Sequence, residues 1–186
     1  MKRIGWLVLM GVLAVSVGAC GRKIVGGEGD FFRSLVPIYP SRSTPRNALL
    51  YYKAAWENRD STRIDTVLAE DYAGSSADQS ETLQFSKADE IRALGGIQLS
   101  QRVTRVIVDL HDPSTWIWQY YAGDSAAWVS YSIPSPRIEV DDVVMGSLLA
   151  DQSTFMEFTF RPTTPAPASP TDTLWTIVRW REQGPP

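Results

Sequence analysis

The chain has 186 residues, 44% of them hydrophobic and 21% charged, with a formal net charge of −3. That is enough apolar content for one globular domain with its own core. No basic run lies beyond the extreme N-terminus, so the electrostatic footprint of a nucleic-acid binder is missing. Seven Trp, seven Tyr and six Phe are a heavy aromatic load, and the single cysteine allows no intramolecular disulfide.

Met1-Lys2-Arg3 is a short positive start, and Ile4 to Val17 then runs almost wholly apolar. This length suits the core of a signal peptide and falls short of the about 20 residues that span a bilayer. Residues 1–19 therefore read as an export signal. Val17-Gly18-Ala19-Cys20 resembles the lipobox of bacterial lipoproteins. That resemblance implies a lipid on the Cys20 thiol after cleavage and an anchor in the envelope membrane. Gly21 follows the cysteine rather than Asp, which favours the periplasmic face of the outer membrane. The plainer alternative is a secretory signal with an incidental cysteine. Residues 20–42 then form a tether and arm. "GRKIVGGEGD" is too glycine-rich and polar to order itself. "FFRSLVPIYPS" is apolar but broken by two prolines, and suits an extended arm on the domain or a place near lipid headgroups.

A folded domain is expected over 43–183, with a short tail at 184–186. Ser43 or Thr44 before Pro45 is a helix start, and Leu49, Tyr52 and Trp56 form its apolar stripe. Asn58-Arg59-Asp60 breaks the pattern. Asp60 caps a second helix whose Ile64, Val67, Leu68 and Tyr72 share a face. Ser86 and Asp89 form a capping signature for a third, short helix, stopped by Gly95-Gly96. From Ser100 the period becomes two. "RVTRVIVDL", "STWIWQYYAG", "AAWVSYSI", "STFMEFTFRP" and "DTLWTIVRWRE" are rich in β-branched and aromatic residues. In the fourth, Met156, Phe158 and Phe160 alternate with Glu157, Thr159 and Arg161. In the last, Leu174, Val178 and Trp180 alternate with Ile177, Arg179 and Arg181. "TTPAPASPTD" is a proline-rich hairpin loop between them. The expected class is α+β: about three N-terminal helices packed on a curved, mostly antiparallel sheet of four to six strands.

Thr44 to Tyr72 ("TPRNALLYYKAAWENRDSTRIDTVLAEDY") and Asp172 to Glu182 ("DTLWTIVRWRE") carry a resemblance to the NTF2-like (SnoaL-like, cone-fold) superfamily. The first resembles its opening pair of helices and the second its closing strand. The likeness is nearest to exported bacterial lipoproteins with one such domain. It implies a conical pocket under a curved sheet, in a superfamily that holds isomerases, dehydratases and cyclases beside members that only bind or dimerise. Fold alone does not choose between these.

His111, between Asp109 and Asp112, has the neighbours a general base needs. Asp112-Pro113-Ser114 is also a turn signal, which places that histidine on the surface. Asp71 ends the second helix, either aimed into the cone or exposed at a turn. Glu139, Asp141 and Asp142 are close enough to hold a cation, but no calcium loop surrounds them, and a solvated strand edge is the plainer reading. One histidine and a lipidated cysteine supply no zinc site. Phosphate-binding loops and nucleophile elbows are absent, and no cofactor or metal is implied. Trp116, Trp118 and Tyr120 alternate onto one sheet face, with Tyr121, Trp128 and Tyr131 nearby. They suit either core packing or an aromatic ligand or partner surface. Arg179 and Arg181 offer an anion-reading group if one faces the cone. The expected role is non-catalytic binding of a small apolar ligand or a protein partner, with a homodimer through the sheet compatible. The alternatives are a pocket enzyme using His111 or Asp71 and a structural envelope subunit.

Overall fold

The computed structural model describes residues 37–77, 82–120, 124–125, 127–151, 155–163 and 173–183. The lipobox, Cys20, most of the arm, the proline-rich loop and Tyr121 lie outside them.

Helix α1 (Pro45–Glu57) starts as its sequence dictates. The Thr44 hydroxyl accepts from the Asn47 N–H at 3.1 Å, and Pro45 occupies the first turn. Its buried stripe is Ala48, Leu49, Tyr51, Tyr52, Ala55 and Trp56. Asp60 caps α2 (Ser61–Val67), accepting from the Arg63 N–H at 3.1 Å. Here the expected helix stops early. Leu68 to Ala77 is a strand, β1, so Tyr72 belongs to a sheet and not to the helix. Its partner β2 (Thr82–Ser86) closes an antiparallel hairpin in a stretch that reads as a polar loop. At Gly74 an added Cβ would lie 2.5 Å from the Phe85 ring and 2.9 Å from the Tyr72 hydroxyl. Only glycine lets those rings come so close.

Helix α3 (Lys87–Leu99) opens with the expected capping box of Ser86 and Asp89. It does not stop at Gly95-Gly96 but runs through them. Leu94 and Ile97 are buried on either side of the pair, and their packing outweighs a penalty of roughly 1 kcal/mol per glycine.

The other elements among the described residues are β3 (Val103–Asp109), a 3-10 turn (Pro113–Thr115), β4 (Ile117–Gln119), β5 (Val129–Pro134), β6 (Arg137–Asp142), β7 (Gly146–Asp151), β8 (Phe155–Pro162) and β9 (Trp175–Gln183). Six strands form one mixed, open sheet in the order β2-β1-β9-β8-β5-β4, with β1 and β9 parallel. The other three form a sheet ordered β3-β6-β7. The α+β class and its three helices on a six-stranded sheet agree with expectation. β6, which carries "RIEVDD", is the centre strand of its sheet and not an edge.

Strict alternation fails at four register shifts among the described strands, and two of them change which residues reach the core. In β9, Arg179 pairs with Thr159 but Ile177 pairs with Phe160, so Val178 is an extra residue. Ile177 and Trp180 consequently share the main core, which the uninterrupted pattern places on opposite faces. In β3 a shift between Val103 and Arg105 likewise leaves Val103 and Val106 both buried. One core joins both sheets, with α1 packed against β3, β8 and β9.

Candidate functional site

A continuous run of rings lies between the six-stranded sheet and the helices, buried along most of its length and half-exposed at Trp118. Trp116 and Trp118 stand 5.6 and 4.9 Å from Tyr131, each edge-on. Tyr131 meets Phe160 at 5.9 Å, and Phe160 and Trp180 each lie 6.5 Å from Phe158. Trp180 meets Phe85 at 5.3 Å, and Tyr52 from α1 meets Phe158 at 5.5 Å. Such spacings are those of mutually packed aromatic pairs.

Into this apolar surround α3 sends a carboxyl group. Glu90 is 1% exposed, on the same helix face as Leu94 and Ile97. The Tyr72 hydroxyl donates to its Oε1 at 2.9 Å, while Oε2 has no hydrogen-bond partner. Burial pushes the Glu90 pKa up to about 7, against a smaller opposing effect of the Tyr72 hydrogen bond. Burial, reinforced by the nearby Glu90 charge, also holds the Tyr52 and Tyr72 phenols well above their ordinary range. At neutral pH this group can keep or release a proton on Oε2 inside the domain. No motif in the sequence marks Glu90. Its one signal is spacing: a charged residue at i, in line with Leu94 at i+4 and Ile97 at i+7, occupies a core position.

The two bases that the sequence suggests lie elsewhere. His111 is exposed, at φ 58° where the chain leaves β3, and its Nε2 sits 2.7 Å from the Ser135 carbonyl. Asp71 faces outward, its carboxylate gripped by Arg161 at 2.9 and 2.6 Å. Those hydrogen bonds hold its pKa below the usual carboxylate range. Arg161 also stacks over Trp128, 5.8 Å from the ring centre. Arg161 and Trp128 line an open groove of about 860 Å³ with Lys87, Asp65 and Glu70. Lys87 bridges Asp65 and Glu70 at 2.9 and 2.6 Å, so the charges of that groove largely satisfy one another.

The remaining candidates separate. Trp116 is buried, donating from Nε1 to the Leu110 carbonyl at 2.7 Å, and it precedes β4 instead of sharing a strand with Trp118. Trp118, 49% exposed, and Ile117, 54% exposed, are on the strand that ends the six-stranded sheet, and Tyr120, 71% exposed, lies just past its end instead of alternating along it. Arg179 pairs with Thr159, on the side of the sheet away from Phe158 and Phe160, and binds Asp124 through two hydrogen bonds at 3.2 and 2.6 Å. Its charge is neutralised there and reads no anion in the ring-filled interior. Arg181 is exposed. The three β6 carboxylates take different partners. Glu139 meets Arg137 at 2.6 Å, Asp141 meets Arg105 at 2.7 Å, and Asp142 meets Arg102 at 3.0 Å. Among the described residues no three His, Cys, Asp or Glu side chains group as a metal site would require.

No protein-family model matches the sequence, and no curated protein matches it. Solved structures do match in shape. An NTF2-like superfamily protein from Salmonella enterica aligns with TM-score 0.52 at 11% identity, covering 76% of this chain and 88% of its own. A Novosphingobium aromaticivorans protein described as an aromatic ring hydroxylase gives 0.54 at 15% identity, covering 77% and 88%. A conserved protein from Planctomyces limnophilus gives 0.50 at 14% identity, covering 73% and 89%. At such identities only the fold carries over: this chain has the NTF2-like cone fold.

Proposed function

We propose that this chain is an exported lipoprotein, held in the cell envelope by acylation of Cys20, whose NTF2-like domain is a non-catalytic binding module for a protein partner. The observation that carries the reading is the division of its aromatics. Tyr131, Phe158, Phe160 and Trp180 occupy the interior as a chain of ring contacts, while Ile117 and Trp118 on the terminal strand β4, and Tyr120 just beyond it, are 49% to 71% exposed. Edge strands accept a further strand from a partner, and exposed Trp and Tyr supply the anchors such contacts use. The outward positions of His111 and Asp71 support the same reading, since both are engaged at the surface.

The test is a photo-crosslinking amino acid in place of Tyr120 in intact cells, with the same group at exposed Arg92 on α3 as control. A discrete heavier adduct at 120, absent at 92 and lost on Trp118→Ala, is the expected result. An adduct of twice the chain mass makes the occupant a second copy. No adduct, together with a small apolar molecule retained in native mass spectrometry, overturns the partner reading. The Cys20→Ala protein, once its signal is cleaved, is expected in the soluble fraction, with the wild type in the outer membrane.

One observation favours a second reading, a pocket enzyme of isomerase, dehydratase or cyclase type. Glu90 has the buried, near-neutral carboxyl that His111 and Asp71 lack, with Oε2 left to meet a substrate proton. A phenol that binds the protein, and binds at least tenfold more weakly to Glu90→Gln but equally to Trp118→Ala, would move the assignment to this reading.

A further inference from the structure

Five of the exposed apolar side chains, Ile38, Leu99, Val143, Val144 and Met145, gather at one end of the molecule. That end is assembled by hydrogen bonds between elements distant in sequence. Tyr39 donates to Asp60 at 2.9 Å, where α1 gives way to α2. Ser61 donates to Gln98 at 2.8 Å, near the close of α3. Arg59 donates to the Val103 carbonyl at 2.5 Å, at the start of β3, and the Val143 N–H to the Arg102 carbonyl at 2.9 Å. Around this ring stand Ile38, Leu99, Val143, Val144 and Met145, from 43% to 91% exposed.

The apolar tip between β6 and β7 is held rigidly outward. Asp142, itself buried, accepts from the Val144 and Met145 N–H groups at 2.8 and 3.0 Å and from Arg102 at 3.0 Å. Three consecutive apolar side chains on a braced turn gain nothing for the fold by pointing into water. Arg59 adds a cation at the same end, with no carboxylate in ion-pair range among the described residues.

The chain also enters at this end. Residue 37 begins the described domain, and Ile38 and Tyr39 sit on the ring just traced. Only residues 21–36 separate it from Cys20, a reach of at most about 60 Å when fully extended. Such a tether keeps the domain at high effective concentration beside any surface that holds Cys20.

We propose that this end faces the bilayer, with Val143–Met145, Leu99 and Ile38 resting in the lipid interface and Arg59 among its headgroups. The inference rests on the lipid anchor at Cys20 proposed above. Aliphatic side chains beside a cation are what an interfacial contact takes.

The test uses the full lipidated protein in vesicles of phosphatidylethanolamine and phosphatidylglycerol, with Cys20 blocked by its lipid. Single cysteines at Val144→Cys, Leu99→Cys and, at the opposite end, Ser114→Cys carry an environment-sensitive dye. Nitroxide-bearing lipids are expected to quench the first two several-fold more than the third. Equal quenching at all three positions, with acylated Cys20 confirmed by mass, overturns this inference alone. An N-terminal mass without acyl groups overturns the anchor and this inference together. Dye-to-dye self-quenching at 144 in the vesicles, with no more nitroxide quenching there than at 114, assigns the patch to a second copy and overturns the inference as well. Two reporters on the patch keep the result readable should one variant misfold.

Discussion

Asp71 and Tyr72 are neighbours on β1 that turn to opposite sides, and the two carboxyl groups they involve behave differently. Asp71 points outward, 61% exposed, in a two-pronged pair with Arg161. Tyr72 points inward to Glu90, a carboxyl with 1% exposure and one oxygen unpartnered. The outer group is held ionised by its guanidinium, while loss of water pushes the pKa of the inner one up to about 7. Acidic sequence surroundings mark neither group as functional. Desolvation separates them, and it follows from which face of which element each occupies.

Glu90→Gln tests that difference with the largest expected effect. A carboxyl whose folded pKa is raised costs nothing below its unfolded value of 4.5, because both states are then protonated. As pH rises through about 7, the unfolded chain ionises freely and the folded chain loses ground. In urea titrations the variant is expected to be more stable than the parent by roughly 3 kcal/mol near pH 8, an advantage that shrinks toward pH 4.5. A difference independent of pH would contradict the burial of Glu90.

Gly74→Ala probes the same interior from the strand side. The added methyl meets the Phe85 ring and the Tyr72 hydroxyl, both fixed by packing. A loss of roughly 1–3 kcal/mol is expected. Displacing the Tyr72 hydroxyl also removes a hydrogen bond that lowers the Glu90 pKa, so the pH-dependent limb of the stability curve moves upward.

Asp71→Asn is expected to cost less than about 1 kcal/mol, and less again in high salt, because the pair with Arg161 is solvent-exposed. Its sign is opposite to that of Glu90. A lowered carboxylate pKa stabilises above the unfolded value and loses its contribution as pH falls through the folded one. A cost from Asp71→Asn that matches the Glu90→Gln effect would erase the distinction between the two sides of β1.

Much of the fold is legible in the sequence because its signals are local. Thr44-Pro45, Asp60 and Ser86-Asp89 each act within one helical turn, and all three helices begin where these residues place them. The β1–β2 hairpin is not legible, because "LAEDYAGSSA" has little intrinsic strand preference. It becomes a strand through its pairing with β9, a partner about 100 residues away. Tyr72 suits a helix stripe as well as a strand, because it lies at i+4 from Leu68 and nothing local decides the period. Val178 inverts the expected facing of Ile177 because a bulge is fixed by cross-strand pairing and not by composition. At the candidate site, the surface character of His111 followed from its turn residues. Glu90 required knowing that α3 continues through two glycines to complete its buried stripe.

The entry of the chain into the domain has a mechanical consequence. The Arg42 carbonyl accepts from the Trp175 N–H at 2.9 Å, where β9 begins, and the Arg42 side chain donates to the Thr66 carbonyl. Tyr39 packs on Tyr51 at 5.2 Å beneath the Arg63 guanidinium. β9 lies between β1 and β8, hydrogen-bonded to both. A pull on the chain ahead of residue 37 therefore meets the Tyr39 contacts first and then reaches the middle of the six-stranded sheet. Tension spreads into two ladders at once, and α1 is not peeled away from its first turn.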